Sequence, residues 1–86
     1  MPDGSAQLEV FPTCIHLERV DPARNMRRFY RMTIQKDLFG GVSLLRVWGR
    51  IGTRGRQQVN IHVDEGRAIN ALMELAQEKR RRGYRL

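Results

Sequence analysis

The stretch Val-Ser-Leu-Leu-Arg-Val-Trp-Gly-Arg-Ile-Gly, residues 42–52, has the composition of a β-strand that ends in a turn. Strand alternation divides its side chains between two faces. One face carries Leu44, Arg46, Trp48 and Arg50, and the other carries Val47, Gly49 and Ile51. The only tryptophan therefore lies between two guanidinium groups, which suits stacking on a nucleotide and neutralisation of phosphate. A core aromatic flanked by solvated arginines fits the same pattern.

Three further strands are predicted around this stretch. Apolar and polar residues alternate over residues 13–20, 28–35 and 58–63, as expected for half-buried strands. In the second of these, Tyr30 and Met32 share a face, and Phe29 lies on the other. Turn-forming residues separate the strands at 21–25, 36–41 and 52–55. Short turns between consecutive strands favour an antiparallel meander.

A helix is predicted between residues 64 and 82, where the apolar period changes to about 3.6. Asp64 is the expected N-cap and Gly83 the expected C-terminal stop. The predicted apolar stripe consists of Ile69, Leu72, Met73 and Ala76. The sequence thus predicts an α+β fold: a four-stranded antiparallel sheet with one C-terminal amphipathic helix packed on one face. The other face is expected to be open, and we expect Trp48 to be exposed there.

With 86 residues, the chain is expected to form one small domain over residues 13–86, preceded by a flexible leader over residues 1–12. That length leaves no room for an additional catalytic domain. One cysteine, the absence of any long apolar stretch and a leader without basic residues predict a cytoplasmic protein with no membrane partner.

The formal net charge is +7, and most of it lies in the second half of the chain. Residues 1–43 carry six basic and five acidic residues, whereas residues 44–86 carry ten basic and four acidic residues. All but two of the basic residues are arginines, which bind phosphate through planar, bidentate contacts. A phosphate-bearing polymer is therefore the leading class of partner, although a GC-rich genome also favours arginine over lysine.

Two basic groups join Trp48 as candidate binding residues. Arg54 and Arg56 lie on or beside the turn at Gly52–Gly55 and would extend the basic surface of Arg46 and Arg50. The second group, at the end of the helix, consists of Lys79, Arg80, Arg81, Arg82 and Arg85. Cations there complement the helix dipole without any ligand, but five in seven positions exceed what that effect requires.

Gly49 has two interpretations. A glycine within a strand allows another backbone or a ligand to approach, or it leaves room for the packed helix.

No catalytic constellation, metal site or cofactor motif is predicted. Cys14 and His16 share a strand face, but nothing in the sequence supplies an orienting third group. Cys14, His16 and His62 lack the spacing of a zinc module. The protein is therefore expected not to be an enzyme, and to need no cofactor.

The chain resembles the WGR domain family, most closely its small stand-alone bacterial members. The resemblance covers residues 13 to 84 and rests on Phe29-Tyr30 in one strand and the Trp-Gly-Arg-x-Gly core, with Trp48, Gly49 and Gly52, in the next. It implies an antiparallel sheet with a helix on one side and a role at DNA breaks. It also implies that Trp48 packs against the sugar at a 5′ terminus and that Arg50 contacts DNA and neighbouring protein domains. The catalytic activity of poly(ADP-ribose) polymerases, which carry this domain, does not transfer.

The leading prediction is a non-enzymatic module that binds DNA ends or nicks, by stacking of Trp48 and by arginine contacts with phosphate. The alternative is a protein-interaction adaptor that uses the same Trp and Arg surface, because both residue types are frequent hot spots. RNA is a third candidate partner.

Overall fold

The computed structural model describes residues 13–37 and 39–86, so the leader predicted over residues 1–12 lies outside the described residues. Among the described residues, four antiparallel strands form one open sheet in the order β1-β2-β3-β4, and one α-helix, α1, follows them. The strands are β1 (Cys14–Asp21), β2 (Met26–Lys36), β3 (Val42–Arg50) and β4 (Arg56–His62), and the helix is α1 (Glu65–Arg81). The predicted α+β fold is confirmed.

The core lies between the sheet and α1. Leu17 of β1, Met32 of β2 and Leu72 of α1 have no exposed surface, and they are packed with Tyr30, Leu44 and Ala76. The pairing register places Leu17 opposite Tyr30, and Tyr30 in turn opposite Trp48. Burial of such side chains stabilises a small domain by about 1.5–3 kcal/mol each, which is why the helix must pack on this face.

α1 begins and ends where the sequence predicts. The Asp64 carboxylate accepts a hydrogen bond from the Arg67 amide at 2.8 Å, which caps the helix, and Gly83 takes a φ of +99° just beyond it. The buried residues of α1 are Ala68, Leu72 and Ala76. The prediction that Met73 belongs to the buried stripe is wrong, because the helix packs along this i, i+4 row and leaves Met73 49% exposed.

The helix covers the face of the sheet that carries Trp48, which we call the helix face. The expectation that Trp48 lies on the face opposite the helix is therefore wrong. Tyr30, Met32 and Leu44 are the large apolar side chains that the helix has to cover, and strand register places Trp48 on the same side. The opposite, far face carries a more polar set that includes His16 and Arg31.

Gly49 allows a close approach of backbone, as one of its two interpretations states. A Cβ atom at Gly49 would lie 2.7 Å from the Cα of Gly55, in the turn between β3 and β4. Gly55 has a φ of +74° and lies against the Trp48 carbonyl and the Phe29 ring. The other interpretation, room for the helix, is wrong because Gly49 lies on the far face. The two glycines let the turn fold tightly beneath Trp48.

Candidate nucleic-acid interface

Three aromatic rings meet on the helix face, beyond the C-terminal end of α1. Tyr30 and Trp48 are stacked, with centroids 5.7 Å apart and an interplanar angle of 16°. Tyr84 meets Tyr30 edge-on at 6.4 Å. Gly83 turns the chain back to the sheet, where the Arg85 amide donates to the Glu18 carbonyl at 2.8 Å and so fixes Tyr84. Trp48 is half-buried, so its ring is held by the core and remains partly accessible.

Arg46 holds the stacked pair in place. Its Nη1 donates to the Tyr30 hydroxyl at 3.1 Å, its Nη2 donates to Oε1 of Gln58, and its guanidinium carbon lies 5.8 Å from the Trp48 ring centroid. Its Nε is buried and has no hydrogen-bond partner among the described residues. Burial raises the pKa of Tyr30, partly offset by the nearby Arg46, so the phenol keeps its proton. Two of the three guanidinium nitrogens of Arg46 are thus engaged within the protein.

Lys79 lies over the same aromatic cluster. Its Nζ is 4.5 Å from the Tyr30 ring centroid and 6.0 Å from that of Tyr84, which is cation–π geometry. Burial lowers the pKa of Lys79, and the positive charge of Arg82 lowers it further. An anion bound here would therefore stabilise a charge that the folded protein holds at some cost.

A hollow of about 370 Å³ opens between the sheet and the end of α1, and we call it the basic hollow. Among the described residues, its lining contains five cationic side chains and no acidic one. The lining residues are Arg19, Arg28, Tyr30, Arg46, Trp48, Gln58, Lys79, Arg82 and Tyr84. Aromatic surface beside cationic side chains can bind the base or sugar and the phosphate of one nucleotide together.

A second hollow adjoins it and is lined by Arg28, Trp48, Gly49, Arg50 and Tyr84, three of which also line the basic hollow. Arg50 does not sandwich the indole as strand alternation suggests. Its Nη1 and Nη2 donate to the backbone oxygen and to Oδ1 of Asn25, each at 3.3 Å. Asn25 has a φ of +52° in the turn between β1 and β2, and this turn holds Arg50 outward at the rim.

The structure brings together only part of the predicted basic set. Lys79 in the last turn of α1 and Arg82, the residue that follows α1, reach the basic hollow. Arg56 lies opposite Trp48 in the strand register. Arg80 and Arg81 instead line a groove on the other side of α1. The reason is helical geometry, since each residue advances by about 100°. Arg80 and Arg81 are thereby turned about 100° and 200° away from Lys79, whereas Arg82, at about 300°, returns towards its side. Arg54 lines a hollow on the far face, away from Trp48.

Sequence reasoning missed four residues of the basic hollow: Arg19, Arg28, Gln58 and Tyr84. The sequence contains a signal that could have identified two of them. Arg28 has the same strand parity as Tyr30, and Tyr84 follows the glycine that ends the helix. Arg19 and Gln58 come from strands on either side, and only the assembled sheet shows that they converge.

The remaining predicted residues lie apart from this site. Phe29, part of the Phe-Tyr motif, is buried on the far face and stacks on His16 at 6.0 Å. The His16 Nε2 lies 3.1 Å from a Glu18 oxygen, and the Cys14 sulfur lies 3.5 Å from the Thr33 hydroxyl. Cys14 and His16 therefore contact other residues and not each other.

A small sheet–helix unit with an aromatic and cationic hollow defines a binding domain. The family model of the WGR domain matches residues 13–86, and the chain belongs to this family of nucleic-acid-binding domains. The resemblance identified from the sequence is confirmed.

A protein of Sinorhizobium fredii (strain NBRC 101917 / NGR234), described as the uncharacterized protein y4dW, is 47% identical to this chain over 74 residues. The matched segment is 86% of this chain and 36% of that protein. The chain thus spans little more than a third of the length of this relative. Among the described residues, no helix is long and apolar enough to cross a membrane.

Proposed function

We propose that this protein is a non-enzymatic module that binds DNA at ends or nicks, with Trp48 packed against the exposed terminal nucleotide. The observation that carries the proposal is the basic hollow, in which five cations surround three aromatic rings and no acidic side chain of the described part of the chain lines the surface. Phosphate contacts would supply most of the affinity, and packing on the ring would supply the preference for a terminus.

The cations divide into three roles. Arg28, Lys79 and Arg82 line the hollow and contact phosphate, joined by Arg19. Arg46 positions Trp48 and Tyr30 through its internal hydrogen bonds, and its positive charge adds to the local potential. Arg50 and Arg56 extend the phosphate contacts at the rim, whereas Arg54, Arg80 and Arg81 lie outside the hollow and assist only by long-range attraction.

The preference for a terminus is supported by the position of the ring. Trp48 is half-buried and borders both hollows, so a nucleotide has to enter a recess to pack on its ring, which a strand terminus can do more easily than a continuous strand. In a continuous duplex, each base is stacked on both sides and cannot enter a hollow of this size. At a duplex end the terminal base lacks one stacking neighbour, and at a nick the broken strand lets the terminal nucleotide leave the stack at lower cost.

Titration of the purified protein, followed by fluorescence of its only tryptophan, tests the proposal. The ligands are nicked, linear and covalently closed circular duplexes of one sequence. We expect a change of Trp48 fluorescence and tighter binding to nicked and linear DNA. Equal affinity for closed circles would contradict end recognition, and unchanged fluorescence with bound nicked DNA would contradict the role of Trp48.

Arg50→Ala provides a second measurement, because loss of one phosphate contact should reduce the salt slope of binding by about 0.9. A matched RNA competitor distinguishes RNA from DNA as the preferred ligand. Absence of duplex binding, together with a protein pull-down that survives nuclease and high salt, would favour the adaptor function instead.

A further inference from the structure

The two edge strands of the sheet, β1 and β4, differ in their backbone pairing. At the outer edge of β1, Glu18 and Arg85 exchange backbone hydrogen bonds of 2.7 and 2.8 Å. At the outer edge of β4, no described residue is paired. An unpaired edge presents amide and carbonyl groups in register for another strand.

The β4 edge also lacks the features that usually keep edges apart. Residues 57–62, Gln-Gln-Val-Asn-Ile-His, contain no charged residue and no proline, whereas β1 carries Glu18, Arg19 and Asp21. Val59 and Ile61 project on the far face and are 50% and 84% exposed. Edge strands in soluble proteins are normally protected by charges, prolines or bulges. The edge of β4 is therefore suited to pairing.

We propose that β4 pairs in antiparallel orientation with β4 of a second copy, which joins two sheets into one of eight strands. The register that places Asn60 opposite its own counterpart sets Val59 of one copy opposite Ile61 of the other. Because the two copies are related by a two-fold axis, this apolar pair occurs twice in the dimer.

Charge complementarity favours a second copy as the occupant. In the same register, Arg56 of one copy faces the segment of the other that ends in Asp64. Each end of the paired strands thus brings a cation towards a carboxylate, and the centre is uncharged. An unrelated strand would have to reproduce this symmetric pattern.

Pairing within one sheet leaves both helices on the same side. The two basic hollows then open on one face of the dimer, towards its opposite ends, because Trp48 lies across from the start of β4. Such a dimer could hold two DNA termini at once, a consequence that rests on the proposed function, whereas the pairing itself does not.

Sedimentation equilibrium without nucleic acid tests the pairing, with protein concentration and salt as variables. We expect the mass to rise from 10.1 kDa towards twice that value. Salt should strengthen self-association because it screens the repulsion between two copies of charge +7. A constant mass of 10.1 kDa across concentrations and salts would overturn the proposal.

Val59→Lys should raise the dissociation constant Kd of the dimer by about tenfold or more, because one lysine would enter each of the two Val59–Ile61 pairs. The matched control is Val20→Lys in β1, since Val20 is also 50% exposed but lies on the opposite edge. Ile61→Lys, at an 84% exposed position, is a second variant that leaves the core intact. Equal weakening by Val20→Lys and Val59→Lys would contradict β4 pairing. Since no DNA is present, these outcomes are independent of the proposed DNA binding.

Discussion

Trp48 is held by its neighbours in a position that neither simple interpretation of its sequence describes. Tyr30 stacks on it, Arg46 lies over it and two hollows border it. Because Trp48 is half-buried, few of its rotamers are available. Little side-chain entropy is then lost when a nucleotide packs against the exposed part of the ring. The residue belongs to the core and to the proposed site at once.

The lowered pKa of Lys79 predicts that DNA binding is coupled to proton uptake. Its folded-state pKa is lowered from 10.5, chiefly by burial. A bound phosphate would favour the ammonium form and raise that pKa, so binding should take up protons at pH values between the pKa of the free protein and that of the complex. Affinity should therefore fall as pH rises through this interval.

Calorimetry of DNA binding in buffers of different ionisation enthalpy measures the uptake. Lys79→Arg is the matched control, because arginine keeps its charge at every pH used. The variant should bind without that proton uptake. Identical uptake in both proteins would show that another group titrates.

Among the elements, the turn between β3 and β4 fixes the backbone of the motif. Gly55→Ala should destabilise the fold by about 2–4 kcal/mol, since a positive φ and a clash with the Trp48 carbonyl act together. Gly52→Ala is the control, because Gly52 has a φ of +95° but nothing within 4 Å of the added Cβ. It should cost only about 1–2 kcal/mol. Urea unfolding of both variants measures the difference, and equal losses would refute the role of close packing.

The N-terminus of α1 depends on a single cap. Asp64→Ala removes the acceptor for the Arg67 amide and should cost about 1 kcal/mol, which lowers Tm by about 4–8 °C in a domain of this size. Glu74→Ala, at an exposed position in the middle of the helix, should change stability by less than about 0.5 kcal/mol. Thermal unfolding by circular dichroism compares them. A Tm for Asp64→Ala equal to that of Glu74→Ala would rule out a stabilising cap.

At the scale of the whole molecule, the two faces of the sheet should differ in their contact with DNA. Arg28 and Arg31 are exposed arginines of the same strand, but Arg28 lines the basic hollow and Arg31 lies on the far face over Phe29. Arg28→Gln should reduce the slope of log K against log salt by about 0.9, and Arg31→Gln should leave it nearly unchanged. Binding titrations over a salt series provide the measurement. Equal changes would indicate diffuse attraction to the whole basic surface.

The sequence alone determined the elements of this protein. Alternation in β1 to β3, the Asp64 cap, the Gly83 stop and the turn glycines are local features, and each predicts its element because backbone geometry imposes a period of two or about 3.6. The basic character of the second half of the chain and the Trp-Gly-Arg motif were also evident from the sequence. The approximate membership of the site, around Trp48, Arg50 and Lys79, followed from these.

Only the tertiary structure decided which face of the sheet the helix covers, and that choice determined the site. A period assigns Trp48 to a face together with Tyr30 and Leu44, but packing selects the face that buries the most apolar surface. Once α1 lies there, Lys79, Arg82 and Tyr84 reach Trp48, while Arg80, Arg81 and Arg54 point elsewhere. Contacts between residues distant in sequence depend on this packing, and no local pattern encodes them.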